Sequence, residues 1–223
     1  SLHHIFICLL LKVGLKMFIV KDGYYYVGIS LVVALITYYF FGLTWALVPF
    51  VLALYFAYFF RDFHRITPPD ESILYAPADG TVMQIEDMDE EEYLCCKCKK
   101  VTIFLSVFNV HTNRAPLGGE IKYQRYTVGG FVPADDRRAT FMNERHAIGI
   151  DSGNFQYMVI QVAGLLARRI VSWVTLGDTL TQGQTYGMIK FGSSTELIVP
   201  ADVEICVKVG QSVTGGITIV GRK

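Results

Sequence analysis

A glycine followed by a serine can break its own peptide bond. In the stretch Gly187-Met188-Ile189-Lys190-Phe191-Gly192-Ser193-Ser194-Thr195-Glu196-Leu197, the hydroxyl of Ser193 can attack the Gly192 carbonyl, which no side chain shields. The amide becomes an ester. A base that removes the Ser193 α-proton then eliminates that ester, and hydrolysis with loss of ammonia leaves a pyruvoyl group at a new N-terminus. Such a ketone condenses with the amine of an α-amino acid and takes up the electron pair released as carbon dioxide departs. Alone, Gly-Ser is most often a plain turn, so the case for chemistry rests on its surroundings.

Three further stretches accompany it: Ala76-Pro77-Ala78-Asp79-Gly80, then Phe108-Asn109-Val110-His111-Thr112-Asn113-Arg114-Ala115-Pro116, then Ala163-Gly164-Leu165-Leu166-Ala167-Arg168-Arg169-Ile170-Val171. With Phe191-Gly192-Ser193, and in this order, they resemble the phosphatidylserine decarboxylase proenzymes, in particular the short bacterial and archaeal form. The resemblance runs from Met17 to the end of the chain. It implies a self-processing, pyruvoyl-dependent decarboxylase that converts phosphatidylserine to phosphatidylethanolamine and carbon dioxide. Cleavage falls between Gly192 and Ser193. Ser193 is then the precursor of the pyruvoyl cofactor, and residues 193–223 form a small chain that stays as partner of the large one.

The same resemblance implies His111 as general acid/base and Asp79 as the carboxylate that orients and charge-stabilises its imidazole, giving an Asp-His-Ser relay. Read as isolated residues, His111 is a structural histidine and Asp79-Gly80 a turn. Asn113 and Arg114 follow directly; an arginine fork there pairs with a substrate carboxylate or phosphate, or braces a loop, and the two readings stand equal. Phe108 occupies the position where other branches carry a second histidine, so that histidine's role does not transfer. Asn143-Glu144-Arg145 also matches the family, and His146 beside it adds a titratable group of no assigned role. Arg168-Arg169 reads as solvated surface or as a headgroup contact.

The elements that must position these residues begin with a membrane-type segment. No charged residue occurs from Tyr24 to Phe60, and Gly42 punctuates the middle. This predicts two helices, 24–41 and 43–60, each about 27 Å long, as a transmembrane helical hairpin. Tyrosines at 24–26, 38 and 39 suit the interfaces. Lys12, Lys16 and Lys21 precede the hairpin and Arg61 and Arg65 follow it, which places both ends, and the catalytic part, on the cytoplasmic side of the cell membrane. Residues 1–23 are read as an N-terminal extension, whose apolar run at 5–11 is too short to span, and 61–72 as a linker closed by Pro68-Pro69.

From residue 73 to 223 short β-type runs alternate with glycine and proline: 81–85, 100–107, 119–126, 157–162, 170–173, 196–199 and 203–209. Leu176-Gly177-Asp178-Thr179-Leu180-Thr181-Gln182-Gly183 is echoed 33 residues later by Val209-Gly210-Gln211-Ser212-Val213-Thr214-Gly215-Gly216. Repeated turns of this kind suit paired corners of a small β-sandwich or barrel. The expected class is mainly β, a lipoyl/biotinyl-like hybrid catalytic domain, with the Gly192-Ser193 bond on an exposed turn between the echoes.

Twenty basic and twenty acidic residues in 223 argue against a nucleic-acid partner. The five cysteines, Cys8, Cys95, Cys96, Cys98 and Cys206, form no disulfide framework and lack the four-ligand spacing of a zinc site, so no metal is expected. The partners expected are a phospholipid substrate and the membrane, and a homo-oligomer is compatible with this. Two alternatives share the sequence: decarboxylation of an archaeal ether lipid with the same serine headgroup (archaetidylserine), and a non-catalytic membrane-tethered carrier module with Lys190 near a hairpin tip. Ile189 and Phe191 do not resemble the neighbours of a carrier lysine, and a carrier leaves Asp79 and His111 without a task.

Overall fold

The computed structural model describes residues 17–129, 143–164, 169–190 and 193–223. The leader with Cys8, the 165–168 part of the third motif with Arg168, and Phe191 and Gly192 lie outside the described residues. The chain divides into two compact units, residues 1–65 and 66–223.

In the first unit, a helix over Lys21–Phe41 is followed after Gly42 by a second over Leu43–Phe59. The first begins three residues earlier than the sequence suggests, because Lys21 and Asp22 occupy its first turn, where exposed charges are tolerated. Gly42 has φ of 82°, a conformation open to glycine at no steric cost. Among the described residues only the first helix is long and apolar enough to cross a membrane; the second has 17 residues with Pro49 inside it. Strands β1 (Met17–Ile19) and β2 (Arg61–Phe63) pair antiparallel, Ile19 opposite Arg61, and the Val20 N–H donates to the Phe60 carbonyl at 2.9 Å. The helical pair therefore begins and ends at the same place. Tyr26 stacks on Phe60 with ring centroids 5.0 Å apart.

The second unit is mainly β. Its strands are β3 (Ile73–Tyr75), β4 (Gly80–Glu90), β5 (Cys96–Leu105), β6 (Thr112–Arg114), β7 (Gly119–Thr127), β8 (Arg145–Asp151), β9 (Gln156–Ala163), β10 (Arg169–Ser172), β11 (Thr179–Leu180), β12 (Thr185–Lys190), β13 (Ser193–Pro200), β14 (Glu204–Ile205), β15 (Ser212–Val213) and β16 (Ile219–Arg222). Eight form one sheet in the order β11-β7-β8-β9-β13-β5-β4-β15, and two three-stranded sheets, β10-β12-β6 and β14-β16-β3, complete it. The main core lies on the sheet face that carries Val101, Ile103, Ile148, Ile150, Val159, Leu197 and Val199, alternate residues of each strand as the pleat requires.

The echo is a structural repeat. Gly177 and Gly210 take φ of 90° and 85°, Gly183 and Gly216 take 78° and 71°, and the short strands between them, β11 and β15, close the two edges of the large sheet. The Gly177 N–H donates to the Ile121 carbonyl at 2.9 Å, as the Gly210 N–H does to Val82 at 2.8 Å.

Two expectations are corrected. The predicted strand 203–209 is only two residues of β14, because Val203 and Val207 turn singly into the core before the chain bends at Gly210. Nor does Ser193 sit on an exposed turn: it opens β13, which is paired on both sides, with β5 and β9, and the residue is fully buried.

Candidate active site

Ser193 lies in a row between Leu105 of β5 and Ala163 of β9. Its side chain shares the inner face of the sheet with Thr195 and Leu197, by alternation along the strand. The Ser193 Oγ is buried and has no hydrogen-bond partner among the described residues. A buried hydroxyl left unpaired costs about 1–3 kcal/mol, and no described residue offsets that cost for Ser193. Ala163 belongs to a small apolar cluster with Ile170 and Ile189, which keeps water from that flank.

His111 is brought to the same end of the molecule by β12. The Ile189 N–H donates to the His111 carbonyl at 3.2 Å, and β12 ends at Lys190, three residues before β13 begins at Ser193. The His111 ring is fully buried, and its Nδ1 lies 2.9 Å from the Asn109 carbonyl oxygen. A carbonyl can only accept, so Nδ1 carries the proton and, in the neutral ring, Nε2 holds the basic lone pair. The loop that delivers it is tied by Asn109, whose side chain accepts from the Ser106 N–H and Oγ at 2.9 and 2.8 Å.

Asp79 stands just ahead of β4. Thr81, Phe104 and Ser194 share one row across β4, β5 and β13, so Asp79 lies at the Ser193 end of the sheet, two strand spacings or roughly 10 Å away. Its Oδ1 accepts the Gly215 N–H at 2.8 Å. Gly80 allows this turn, because a Cβ there would sit 2.1 Å from the Phe104 carbonyl oxygen.

Asn113 and Arg114 are both buried. The Asn113 Nδ2 donates to Thr195 Oγ1 at 2.8 Å, and its Oδ1 accepts from Gln161 Nε2 at 2.7 Å. Arg114 donates from NH1 to the Gly183 carbonyl at 3.2 Å, and its backbone N–H donates to Pro77 at 2.8 Å, joining the His111 and Asp79 segments. Asn143 and Glu144 form a wall beside Ser193: Asn143 Nδ2 donates to the Ala163 carbonyl at 2.6 Å, the Ala163 N–H to the Glu144 carbonyl at 2.9 Å, and the Tyr126 hydroxyl to the Glu144 carboxylate. Burial first, then this bond, pushes the Tyr126 hydroxyl up to about 12. Arg169 opens β10 and is exposed.

Sequence reasoning passed over Gln161, Gln124 and Thr195, and gave His146 no task. His146 Nδ1 lies 3.0 Å from Gln161 Oε1 and Nε2 lies 2.9 Å from Gln124 Nε2. Burial holds the His146 imidazole below its ordinary value. The available signal was a glutamine at an inward-facing position of an otherwise apolar strand, Tyr157-Met158-Val159-Ile160-Gln161-Val162.

Residues 52–221 match the family model described as phosphatidylserine decarboxylase. Relatives called phosphatidylserine decarboxylase proenzyme are similar over nearly the whole chain. The protein from Carboxydothermus hydrogenoformans is 43% identical over 206 residues, 91% of this chain and 95% of the relative. That from Symbiobacterium thermophilum is 41% identical over 92% of this chain and 95% of its own length. Over a shorter span, 74% of this chain and 77% of the relative, the protein from Chlorobium phaeobacteroides is 46% identical.

Proposed function

The chain belongs to the phosphatidylserine decarboxylase family, and on that premise we propose that it decarboxylates phosphatidylserine to phosphatidylethanolamine after cutting itself between Gly192 and Ser193. The observation that carries the self-processing is the buried Ser193 hydroxyl without a partner among the described residues. It opens a strand, in an apolar setting, at the end of β12 to which the His111 carbonyl is bonded.

In this reading His111 Nε2 takes the proton of the Ser193 hydroxyl as it adds to the Gly192 carbonyl, and returns one to the departing nitrogen. Nδ1, fixed on Asn109, keeps the ring in the basic tautomer. Asp79 supplies negative charge at the same end of the sheet and stabilises the imidazolium while it exists. A pyruvoyl group made from Ser193 supplies the electron sink for loss of carbon dioxide. Ser193 fits that fate, since its hydroxyl is buried and has no partner among the described residues. Asn113 and Arg114 are read as braces rather than headgroup ligands, because the Asn113 amide is occupied at both ends by protein groups.

The helical pair supports a membrane anchor by what it hides. Ala34, Ala46 and Ala53 are buried, while Leu35 and Phe40 are each 69% exposed and Val48 71%. Small residues inside and large apolar ones outside is the arrangement of helices whose solvent is lipid. We read the pair as a hairpin with both ends on the cytoplasmic side, and the β unit, with its repeated corners, as a lipoyl/biotinyl-type hybrid. A serine-headed ether lipid presents the same reacting group. The carrier reading asks for an exposed lysine, whereas Lys190 is 8% exposed.

Intact-mass measurement of the purified protein beside Ser193→Ala tests the proposal. Two chains in the wild type, the smaller starting at residue 193 with a pyruvoyl mass, and a single inactive chain in the variant are expected. A single wild-type chain with an unmodified Ser193 overturns it.

A further inference from the structure

At the far end of β13 from Ser193, two thiols touch. Pro200, the last residue of that strand, pairs with Cys98 of β5, and the strand carries it roughly 23 Å from Ser193. Cys96 and Cys98 stand two positions apart on β5, so both side chains leave the same face, and their sulfur atoms lie 3.6 Å from each other. Cys98 is buried in an apolar cluster with Met158 and Ile198, whereas Cys96 is exposed. Solvent therefore reaches the pair from the Cys96 side, where β5 begins.

The spacing decides what such a pair can do. A disulfide needs its two Cβ atoms about 3.5–4.5 Å apart, but same-face neighbours on an extended strand are separated by roughly 6.6–6.8 Å. Pairing holds both residues at that spacing: Cys96 stands opposite Glu90 and Cys98 opposite Met88 on β4, with Pro200 on the other side of Cys98. A direct S–S bond would have to pull these rungs apart. A single atom between the sulfurs would not. With zinc–sulfur bonds of about 2.3 Å and tetrahedral angles, two thiolates stand about 3.8 Å apart, close to the contact already present.

The charge around the pair suits a cation. Burial first, then the bond with Cys96, then the negative charges of Glu90 and Asp89 push the Cys98 thiol up to about 12; the same charges favour a cation that takes the place of its proton. The Glu90 carboxylate is fixed beforehand, accepting the N–H groups of Glu92, Tyr93 and Leu94 at 2.9, 2.9 and 2.6 Å. Among the described residues no group of three or more His, Cys, Asp or Glu side chains is arranged to hold a metal ion, so the pair stands without a third protein ligand.

We infer that Cys96 and Cys98 form a two-thiolate chelate for a thiophilic cation of the size and d¹⁰ character of Zn²⁺, its other coordination positions open to water. The site lies apart from the candidate active site and does not depend on the proposed reaction. It differs from structural zinc, which four protein ligands close, so the ligand spacing that the sequence lacks is not required. Sulfur donors select soft and borderline cations over Mg²⁺ or Ca²⁺. On binding, each thiol releases its proton to solvent and two metal–sulfur bonds form; nothing is oxidised or reduced.

The test titrates the reduced full-length chain with Zn²⁺ against a chromophoric chelator, and with Cd²⁺ followed by the ultraviolet charge-transfer band of cadmium thiolate. One ion per chain is expected, undisturbed by excess Mg²⁺, with an affinity that rises at least about tenfold per pH unit because Cys98 must give up its proton. Cys96→Ser, a change at an exposed position, keeps the fold and its self-cleavage and weakens binding about 100-fold, the scale of losing one of two linked contacts. Cys98→Ser weakens it likewise, while Cys8→Ser, Cys95→Ser and Cys206→Ser leave it as it was. A reduced wild-type chain that retains no ion, wild-type affinity in Cys96→Ser, or an equal loss in Cys95→Ser overturns the chelate. Ready formation of a Cys96–Cys98 disulfide in the native chain under mild oxidant, seen by peptide mass mapping, overturns the fixed spacing and the chelate with it.

Discussion

Two corners of the β unit are copies of each other, and they differ at one position, Asp79 in the first and Gly118 in the second. At the first, Ala76-Pro77-Ala78-Asp79-Gly80 meets the turn ending in Gly215-Gly216; at the second, Ala115-Pro116-Leu117-Gly118-Gly119 meets the turn ending in Gln182-Gly183. The Gly216 N–H donates to Ala76 at 2.9 Å and the Gly183 N–H to Ala115 at 2.8 Å; Val213 pairs with Gly80, and Leu180 with Gly119. Within this shared frame the side chains are exchanged. Asp79 reaches across to the Gly215 N–H, where a Cβ on Gly215 would lie 3.2 Å from Ala78 Cα. Its counterpart is Gly118, and there the side chain comes from the other turn: Gln182 Nε2 donates to the Ile73 carbonyl at 2.8 Å. One corner exposes a charge to the Ser193 end of the sheet, and the other spends its polar group on bracing backbone.

The difference extends inward. Both halves carry an irregularity at the same step, between Val82 and Gln84 in β4 and between Ile121 and Tyr123 in β7. Counting from it, Gln124 and His146 of one half correspond to Ile85 and Lys99 of the other, and Gln161 to Val199. Lys99 sends its ammonium to the Val203 carbonyl at 2.9 Å, out of any network. The hydrogen-bond chain of Gln124, His146 and Gln161 thus belongs to the half that has Gly118 in place of Asp79, and it reaches β13 through Asn113 and Thr195. One half of the duplicated frame places Asp79 at its corner, and the other holds an imidazole between two glutamine amides in its interior.

The largest expected effect breaks that division at its corner. Asp79→Asn keeps an oxygen for the Gly215 N–H, so the fold survives, and self-cleavage slows about 10²–10⁴-fold, the scale of a lost general-base partner. Adding Gly118→Asp places a carboxylate at the copied corner and does not restore the rate, while Gln182→Ala leaves cleavage unchanged. Cleavage rates by intact mass decide it; rescue by Gly118→Asp would mean that the corners are interchangeable.

Stability sharpens the part that the corners share. Gly80→Ala sets a methyl 2.1 Å from the Phe104 carbonyl oxygen, and Gly119→Ala sets one 2.5 Å from that of Asp151. Backbone cannot give way as a side-chain end can, so each variant should lose about 2–4 kcal/mol, Gly80→Ala the more. Denaturant unfolding in an uncleavable Ser193→Ala background measures both. A loss confined to one corner would show that the repeat is not mechanically equivalent.

Much of this frame was legible in the sequence. The 33-residue echo announced the edges β11 and β15, and the uncharged stretch at 24–60 announced the two helices, because both signals are local. The Ala-Pro-x-x-Gly copies at 76 and 115 were legible too, yet they are short and 39 residues apart, and only the pairing with the echoes gives them meaning. Strands β8 and β12 went unread since Gly149 and Gly187 interrupt their runs, and a glycine that admits a neighbouring side chain looks like a breaker until that neighbour is known. The burial of Ser193 was illegible for a similar reason: a Gly-Ser beside polar residues reads as a turn, and its place between β5 and β9 is set by partners 88 and 30 residues away. The contacts among Gln124, His146, Gln161, Asn113 and Thr195 needed tertiary structure outright, as these residues come from separate strands.

The smallest effect separates the halves by pH. Burial lowers the His146 pKa in the folded chain from its ordinary 6.5, so the unfolded chain binds a proton near pH 6.5 that the folded chain still refuses. Stability from this group is fully present above about pH 6.5 and is lost as pH falls toward the folded value, with a slope of up to about 1.4 kcal/mol per pH unit. Asp70, Glu92 and Asp151 are lowered carboxylates, held down mainly by bonds from Ser72, Tyr123 and Gln156, and their contributions fade only below about pH 4. Among the described groups with a shifted pKa, the window between belongs to His146. In the Ser193→Ala background the unfolding free energy should fall from pH 6.5 to 5, and His146→Asn should flatten much of that fall while lowering the plateau. Lys99→Met, at the corresponding position of the other half, should leave the slope as it is, because that side chain is bonded to the Val203 carbonyl and not to the partners of His146. An unchanged slope in His146→Asn would assign the pH-sensitive group to another residue and leave the two halves alike in this respect.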